Sequence, residues 1–369
     1  MPELTLLDQP EKIEAIDKGG ILKMCERMPH FGREAFEQAK RMAISLEKPH
    51  NIIIAGMGGS AIGGELLRSW LRDTSKTSIS VSRSYTLPAY ADDRSLVVAI
   101  SYSGETEETL NSFLEAVERR CMVVTITSGG HLKKFSESLG VPCVTVPEGL
   151  VPRAAIAHMF FPLVFLMDRA GVVKETEEEV EESLRVLRKV SDENSPKTPL
   201  KNNKAKKLAL ALEGKIPIIY GFGQYRAVAQ RLKCQFNENS KIPSYFEAFP
   251  ELDHNEIVGW EAAKDITKHF SLLILRDPKE PTEIKHRIEI TKEIASAKVA
   301  RILEIRAQGH RKLARLLSTM HLGDFASVYL ALLRGVDPSQ TISIDNLKRE
   351  MKKRLNMLAI LRKKAETMR

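Results

Sequence analysis

The chain has 369 residues, of which 43% are hydrophobic and 28% charged, a balance that excludes a disordered or fibrous chain and suits two globular domains. No basic stretch followed by an apolar run opens the sequence, and no segment reads as the ~20 apolar residues of a membrane span, so neither a secretory leader nor a membrane partner is expected. Much of the net charge of +8 lies in Lys197–Lys207 and Lys348–Lys364; the second run is interleaved with Leu347, Met351, Leu355, Leu358 and Leu361, the spacing of an amphipathic helix with a solvated basic face, so no nucleic-acid partner is expected.

Residues 11–48 read as helices. Asn51–Ala55 then forms a short apolar strand, followed by a glycine turn and a helix to about Leu71. Further strands are predicted at Ile79–Ser82, Ser95–Ser101, Met122–Thr127 and Cys143–Val146, with a helix over Glu105–Glu118. Strands alternating with helices of this length predict an α/β fold with a parallel, doubly wound, flavodoxin-like sheet. Lys174–Arg188 predicts a helix, and the proline-, asparagine- and lysine-rich Ser191–Lys207 predicts a linker.

The rhythm then repeats. Strands are predicted at Ile216–Tyr220, Ser244–Glu247, Phe270–Leu275 and Val299–Ile305, with a helix from Gln224 to Asn237. Ile53-Ile54-Ala55-Gly56-Met57-Gly58 lies over Ile218-Ile219-Tyr220-Gly221-Phe222-Gly223, and Gly130-His131-Leu132 is echoed by Gly309-His310-Arg311, which points to an internal duplication. Segments 312–333 and 343–367 read as C-terminal helices. The expected organisation is residues 1–173 as N-terminal helices and first domain, 174–207 as helix and linker, 208–311 as second domain, and 312–369 as a helical segment. Cys25, Cys121, Cys143 and Cys234 lie far apart without a Cys-x-x-Cys pair, and Cys121 and Cys143 sit in strand-like apolar runs that suit buried free thiols, so a reducing cytoplasm is expected.

Two turns carry chemistry. Gly56-Met57-Gly58-Gly59-Ser60 leads from a strand into a helix, where main-chain N–H groups and the helix dipole favour an anion and Ser60 adds a hydroxyl. Ser101-Tyr102-Ser103-Gly104-Glu105-Thr106 ends the third strand in the same way, with Ser101, Ser103 and Thr106 as donors. In a doubly wound sheet the two meet at the switch point, where ligands sit. Together they predict a phosphate cradle. Gly56–Ala61 also matches the G-x-G-x-x-G/A dinucleotide pattern; Arg83 stands where that pattern expects an acid, which leaves NADP as an alternative ligand. The second half has Leu273–Pro278 where the first has its second turn, so its cradle is expected to be lost.

At these residues the chain resembles the SIS (sugar isomerase) family, and more closely the bifunctional phosphoglucose/phosphomannose isomerases that carry two SIS domains. Val151-Pro152-Arg153, Phe236-Asn237-Glu238-Asn239-Ser240-Lys241, Glu251-Leu252-Asp253-His254-Asn255-Glu256 and Leu347-Lys348 follow in that family's order. Glu105 departs from it, since Asn is common there; a carboxylate beside a phosphate is unfavourable, so Glu105 is expected to point outward.

The resemblance implies an aldose–ketose isomerase acting through a cis-enediol, with glucose 6-phosphate, mannose 6-phosphate and fructose 6-phosphate as substrates. Read alone, Glu238 suits a surface ion pair with Lys241 or Arg231 as well as a base; the resemblance makes it the base. The resemblance makes His254 the ring-opening residue, reaching the neighbouring subunit of a homodimer, with Asp253 or Glu256 close enough in sequence to orient its ring. It makes Arg153 the group that steadies the enediolate, Lys348 a cation extending to the sugar, and Thr341 a wall beside C2. Gly59, Ser60, Ser101, Ser103 and Thr106 would hold the phosphate. His131, His158, His286 and His321 read as structural. No metal-ligand spacing is present, proton transfer needs none, and no cofactor is expected. A non-catalytic SIS module that senses sugar phosphates would keep the cradle without needing Glu238, His254 or Lys348.

Overall fold

The computed structural model describes residues 6–368; the first five residues, part of the stretch read above as lacking a leader, lie outside it. The described residues form two compact units. The first holds His30–Thr176 and the residues from Thr341 onward; the second holds the residues up to Pro29 and Glu177–Gln340.

In chain order the elements begin with α1 (Pro10–Ile16), α2 (Ile21–Lys40), β1 (Asn51–Gly56), α3 (Gly58–Leu71), β2 (Ser78–Ser82), β3 (Ser95–Ile100), α4 (Glu107–Glu118), β4 (Met122–Thr127), α5 (Gly130–Ser138), β5 (Cys143–Thr145) and α6 (Ile156–Arg169). There follow α7 (Thr176–Asn194), α8 (Lys204–Leu212), β6 (Ile216–Phe222), α9 (Arg226–Glu238), β7 (Tyr245–Phe249), α10 (Lys264–Thr267), β8 (Phe270–Arg276), α11 (Thr282–Ser296) and β9 (Arg301–Arg306). The chain closes with α12 (Lys312–Leu333), α13 (Ile342–Arg354) and α14 (Met357–Thr367).

Each unit is built on a parallel sheet, in the order β2-β1-β3-β4-β5 in the first and β7-β6-β8-β9 in the second. The central strands are apolar almost throughout, as strands covered on both faces must be: every residue of β3 is buried, and all of β1 after Asn51. The strand order reverses between β1 and β3 and again between β6 and β8, so each sheet has one switch point. The doubly wound α/β class expected from the sequence is what forms.

Some expectations differ from the structure. The compact units are not the contiguous blocks 1–173, 208–311 and 312–369, because α14 buries Leu361 and Ala365 against Leu110, Phe113 and Leu114 of α4 in the first unit. The polar stretch 191–207 is a fixed part of the second unit: Lys206 is fully buried, and its ammonium donates to Asp8 Oδ1 and to the Pro196 and Thr198 carbonyls at 2.9 Å each. The C-terminal amphipathic run is two helices, since Asn356 accepts from the Ala359 N–H and restarts the helix there; α13 buries none of its residues. Cys121 and Cys143 are half-buried, not buried.

Helix α12 is long and apolar enough to cross a membrane, yet nearly all of it is buried inside the second unit. It carries Asp324, whose carboxylate accepts from Arg231 Nε at 3.1 Å, Arg231 Nη2 at 2.8 Å and Gln235 Nε2 at 3.1 Å. Removing the carboxylate takes three hydrogen bonds and the opposite charge away from a buried guanidinium and its neighbouring amide. Asp324→Ala is therefore expected to lower stability by about 3–5 kcal/mol, read as a shift in the urea midpoint.

Candidate active site

The first switch point is a cradle of main-chain groups and hydroxyls. Gly58 takes φ +50° where β1 turns into α3, a conformation that favours glycine. Gly59 lies against the segment before α6: a Cβ there would stand 3.2 Å from the Pro152 carbonyl oxygen and 3.5 Å from the Arg153 Cα. The structure thus brings Arg153, which is buried, against the first turn of α3. Ser60 is buried on the same turn, and its hydroxyl faces Met159 Sδ at 3.2 Å.

Across the switch point, Ser101 is buried and its hydroxyl shares a 2.9 Å hydrogen bond with that of Thr106, the residue that opens α4. Ser103 is exposed at the tip, where its Oγ accepts from the Glu105 N–H at 3.3 Å. Between them Tyr102 reaches inward; its phenol donates to the Pro147 carbonyl at 2.9 Å and accepts from the Leu150 N–H at 3.0 Å. Tyr102 so ties the serine turn to the segment that leads to Arg153. Because β1 and β3 pair up to Gly56↔Ile100, the Gly59–Ser60 turn with Arg153 against it and the Ser101–Thr106 turn leave adjoining strand ends of the first unit.

The turn rests on the start of α5. Ser128 donates to the Tyr102 carbonyl through both its N–H, at 3.0 Å, and its hydroxyl, at 2.7 Å, and the Leu132 N–H donates to the Gly104 carbonyl at 3.0 Å. Glu105 is exposed, yet its carboxylate does not stand free in solvent but is held on the start of α5. Its Oε1 accepts from the His131 N–H at 3.1 Å, and its Oε2 lies 2.6 Å from His131 Nδ1. Helix α5 starts at Gly129-Gly130 with no side chain of its own to cap it, and its open N–H groups draw the carboxylate across. His131, read as merely structural, is therefore part of the turn's support. Its partner is 26 residues away, too far for local pattern to reveal.

Thr341 and Lys348 also belong to the first unit. Thr341 is half-buried just before α13, and Lys348 is exposed on that helix. Arg83, the residue that would serve NADP, donates to Glu65 Oε1 of α3 at 2.7 Å, so its guanidinium already has an anion.

Glu238 and His254 lie in the second unit. Glu238 is half-buried at the last position of α9, and its carbonyl accepts from Lys241 Nζ. His254 is exposed on a short helical turn after β7. Neither expected partner orients its ring. Asp253 accepts from Arg287 Nη1 at 2.9 Å and Thr291 Oγ1 at 3.0 Å, while Glu256 accepts from Tyr220 at 2.7 Å. Burial, helped by the Glu256 carboxylate, pushes the Tyr220 phenol well above its usual range and keeps it a donor.

The second switch point is closed by a side chain. Asp277, at the end of β8, accepts from Arg315 Nε at 3.0 Å, Gln224 Nε2 at 3.3 Å, the Lys279 N–H at 2.7 Å and the Tyr225 phenol. Gln224 and Tyr225 follow β6 as Gly59 and Ser60 follow β1. A carboxylate of the chain itself sits where the first unit offers donors.

Residues 45–136 match the SIS domain, and residues 201–351 match the bacterial phospho-glucose isomerase C-terminal SIS domain. A bifunctional phosphoglucose/phosphomannose isomerase of Caldicellulosiruptor bescii is 40% identical over 327 residues, spanning 88% of this chain and 96% of that protein. One from Aquifex aeolicus is 37% identical over 303 residues, spanning 82% and 90%. The solved structure of a hypothetical protein from Thermus thermophilus shares the fold with a TM-score of 0.75 at 16% identity, covering 96% of this chain and 94% of that one. Two SIS domains in the expected order, a cradle at the first switch point, and this likeness along most of both chains place the protein in the family of bifunctional phosphoglucose/phosphomannose isomerases.

Proposed function

We propose that this protein interconverts glucose 6-phosphate and mannose 6-phosphate with fructose 6-phosphate by proton transfer through a cis-enediol. The observation that supports the reading is the pair of hydroxyl-bearing turns at the first switch point, with Ser60 on one and Ser101, Ser103 and Thr106 on the other, set beside the buried Arg153. Gly59, Ser60, Ser101, Ser103 and Thr106 bind the phosphate, which supplies binding energy away from the reacting carbons. Glu238 removes the proton from C2 and returns it to C1. Arg153 and Lys348 stabilise the negative charge that develops on the sugar oxygens. Thr341 borders C2 and leaves room for either epimer.

His254 opens the ring across a homodimer interface. Its exposed turn, and the engagement of Asp253 and Glu256 elsewhere, support a role outside its own unit. We place the reaction in the cytoplasm; no disulfide joins any of the four cysteines, which suits a reducing compartment.

The test is a coupled assay that follows fructose 6-phosphate formed from each aldose phosphate. Turnover of both supports the reading; sugar-phosphate binding without turnover favours a sensor. Within the same assay Ser103→Ala is expected to raise KM while leaving kcat nearly unchanged, because its hydroxyl touches the phosphate equally in ground and transition states. Equal losses in kcat and kcat/KM would place Ser103 in the chemistry instead.

A further inference from the structure

We propose that Arg362, acting through His131 on Glu105, is a positioning device that holds the phosphate turn in its binding shape. The inference rests on the reading of that turn as the phosphate site. Arg362 lies on α14, one position after Leu361, which is fully buried against α4, and two positions before Lys364, whose ammonium pairs with Glu118 at 2.9 Å. Packing and the ion pair fix where its guanidinium can reach. Its Nε lies 2.6 Å from His131 Nε2.

The chemistry of this contact is one-sided. A guanidinium has donors only, so His131 Nε2 must accept, and the ring proton is then on Nδ1. That proton points at Glu105 Oε2, 2.6 Å away, while Oε1 takes the His131 N–H at 3.1 Å. Both carboxylate oxygens are thereby held on α5. The side chain of His131 is 11% exposed and that of Glu105 42%, so the ring is sheltered and the carboxylate is not. Without the ring's hold, the carboxylate is free to swing on the turn that binds an anion.

The backbone beneath has little slack. Gly104 and Gly130 face each other, and a Cβ on Gly130 would lie 2.4 Å from the Ser103 carbonyl oxygen. A shift of Glu105 is therefore passed to Ser103 and Gly104. The corresponding helix start in the second unit is also capped by a distant carboxylate: Glu182 Oε1 accepts from the His310 N–H. In the first unit the cap is additionally gripped by a histidine and an arginine, and that addition is what the proposal explains. The C-terminal helices carry Lys348 on α13 and Arg362 on α14, so one segment both bears a catalytic cation and sets the phosphate turn.

The experiment compares the full-length protein with Arg362→Met, which keeps the aliphatic stem but removes the donor. For Arg362→Met, KM for fructose 6-phosphate is expected to rise about fivefold, the worth of one hydrogen bond to a sheltered partner, with kcat within twofold. In a Glu105→Gln background the same change should move KM less than twofold, because the charge being restrained is gone. Nitrogen NMR of the His131 ring should show Nε2 as a hydrogen-bonded acceptor in the wild type and lose that signature in Arg362→Met. An unchanged KM in Arg362→Met, or an equal KM rise with and without Glu105→Gln, overturns the inference. Should Arg362→Met lower the melting temperature sharply, His131→Phe replaces it, with the same requirement that Glu105→Gln suppress its effect. If the wild type itself neither binds nor converts fructose 6-phosphate, it is the phosphate reading that fails.

Discussion

Glu238→Gln is expected to lower kcat roughly a thousandfold in either direction of the isomerisation, the usual worth of a positioned base. Fructose 6-phosphate should still bind with nearly wild-type affinity, because the amide keeps the shape of the carboxylate and the proposed phosphate contacts are made by other residues. Incorporation of solvent deuterium at C2 should vanish together with turnover. The position of Glu238 suits such a change: it closes α9, is half-buried, and its carbonyl takes Lys241 Nζ, so the local chain is held by groups the substitution leaves in place. A kcat within tenfold of the wild type would remove Glu238 from the role of base.

Gly104→Ala is the substitution expected to damage the phosphate site most. Gly104 adopts φ +66°, and an added Cβ would stand 1.9 Å from the Gly129 carbonyl oxygen, well inside any real contact. The obstacle is main chain, so no side chain can rotate away. Relief requires parting the turn from α5, which breaks the Leu132 N–H bond to the Gly104 carbonyl. A loss of roughly 3 kcal/mol or more is expected from the strain and the broken contact, read from thermal or urea unfolding, with KM for fructose 6-phosphate raised at least tenfold in whatever folds. Gly140→Ala is the control. It shares the left-handed backbone, at φ +68°, but nothing lies within 4 Å of its Cβ position. It should cost only about 1–2 kcal/mol and leave KM alone. Equal effects at the two positions would mean that backbone conformation matters and the approach to Gly129 does not.

The strands were legible in the sequence because buried parallel strands are uninterrupted apolar runs, as in Ile52-Ile53-Ile54-Ala55 and Leu96-Val97-Val98-Ala99-Ile100. The glycine and serine turns were legible because backbone geometry and hydroxyl chemistry both demand particular residues there. What could not be read is what depends on distant packing. The destination of Glu105 is set by an uncapped helix start on another strand's far end. The membership of α14 in the first unit is set by where Leu361 finds a partner. The break at Asn356 was hidden because the apolar spacing of Leu347, Met351, Leu355, Leu358 and Leu361 runs straight through it. Asp253 and Glu256 stand next to His254 in sequence, yet Arg287, Thr291 and Tyr220 reach their carboxylates from elsewhere in the fold.

Asp277 has a bearing on how many ligands the duplicated fold can hold. A carboxylate fixed in place by its own main chain, and held there by four donors, competes with dissolved anions at an effective concentration far above millimolar. Burial, together with the carboxylate's own charge, pushes the Tyr225 phenol well above its usual range, so this donor stays protonated and bound to it. The second sheet thus behaves as a permanently self-liganded copy of the first. Calorimetric titration with a sugar phosphate should accordingly saturate at one molecule per chain, although the architecture presents two switch points.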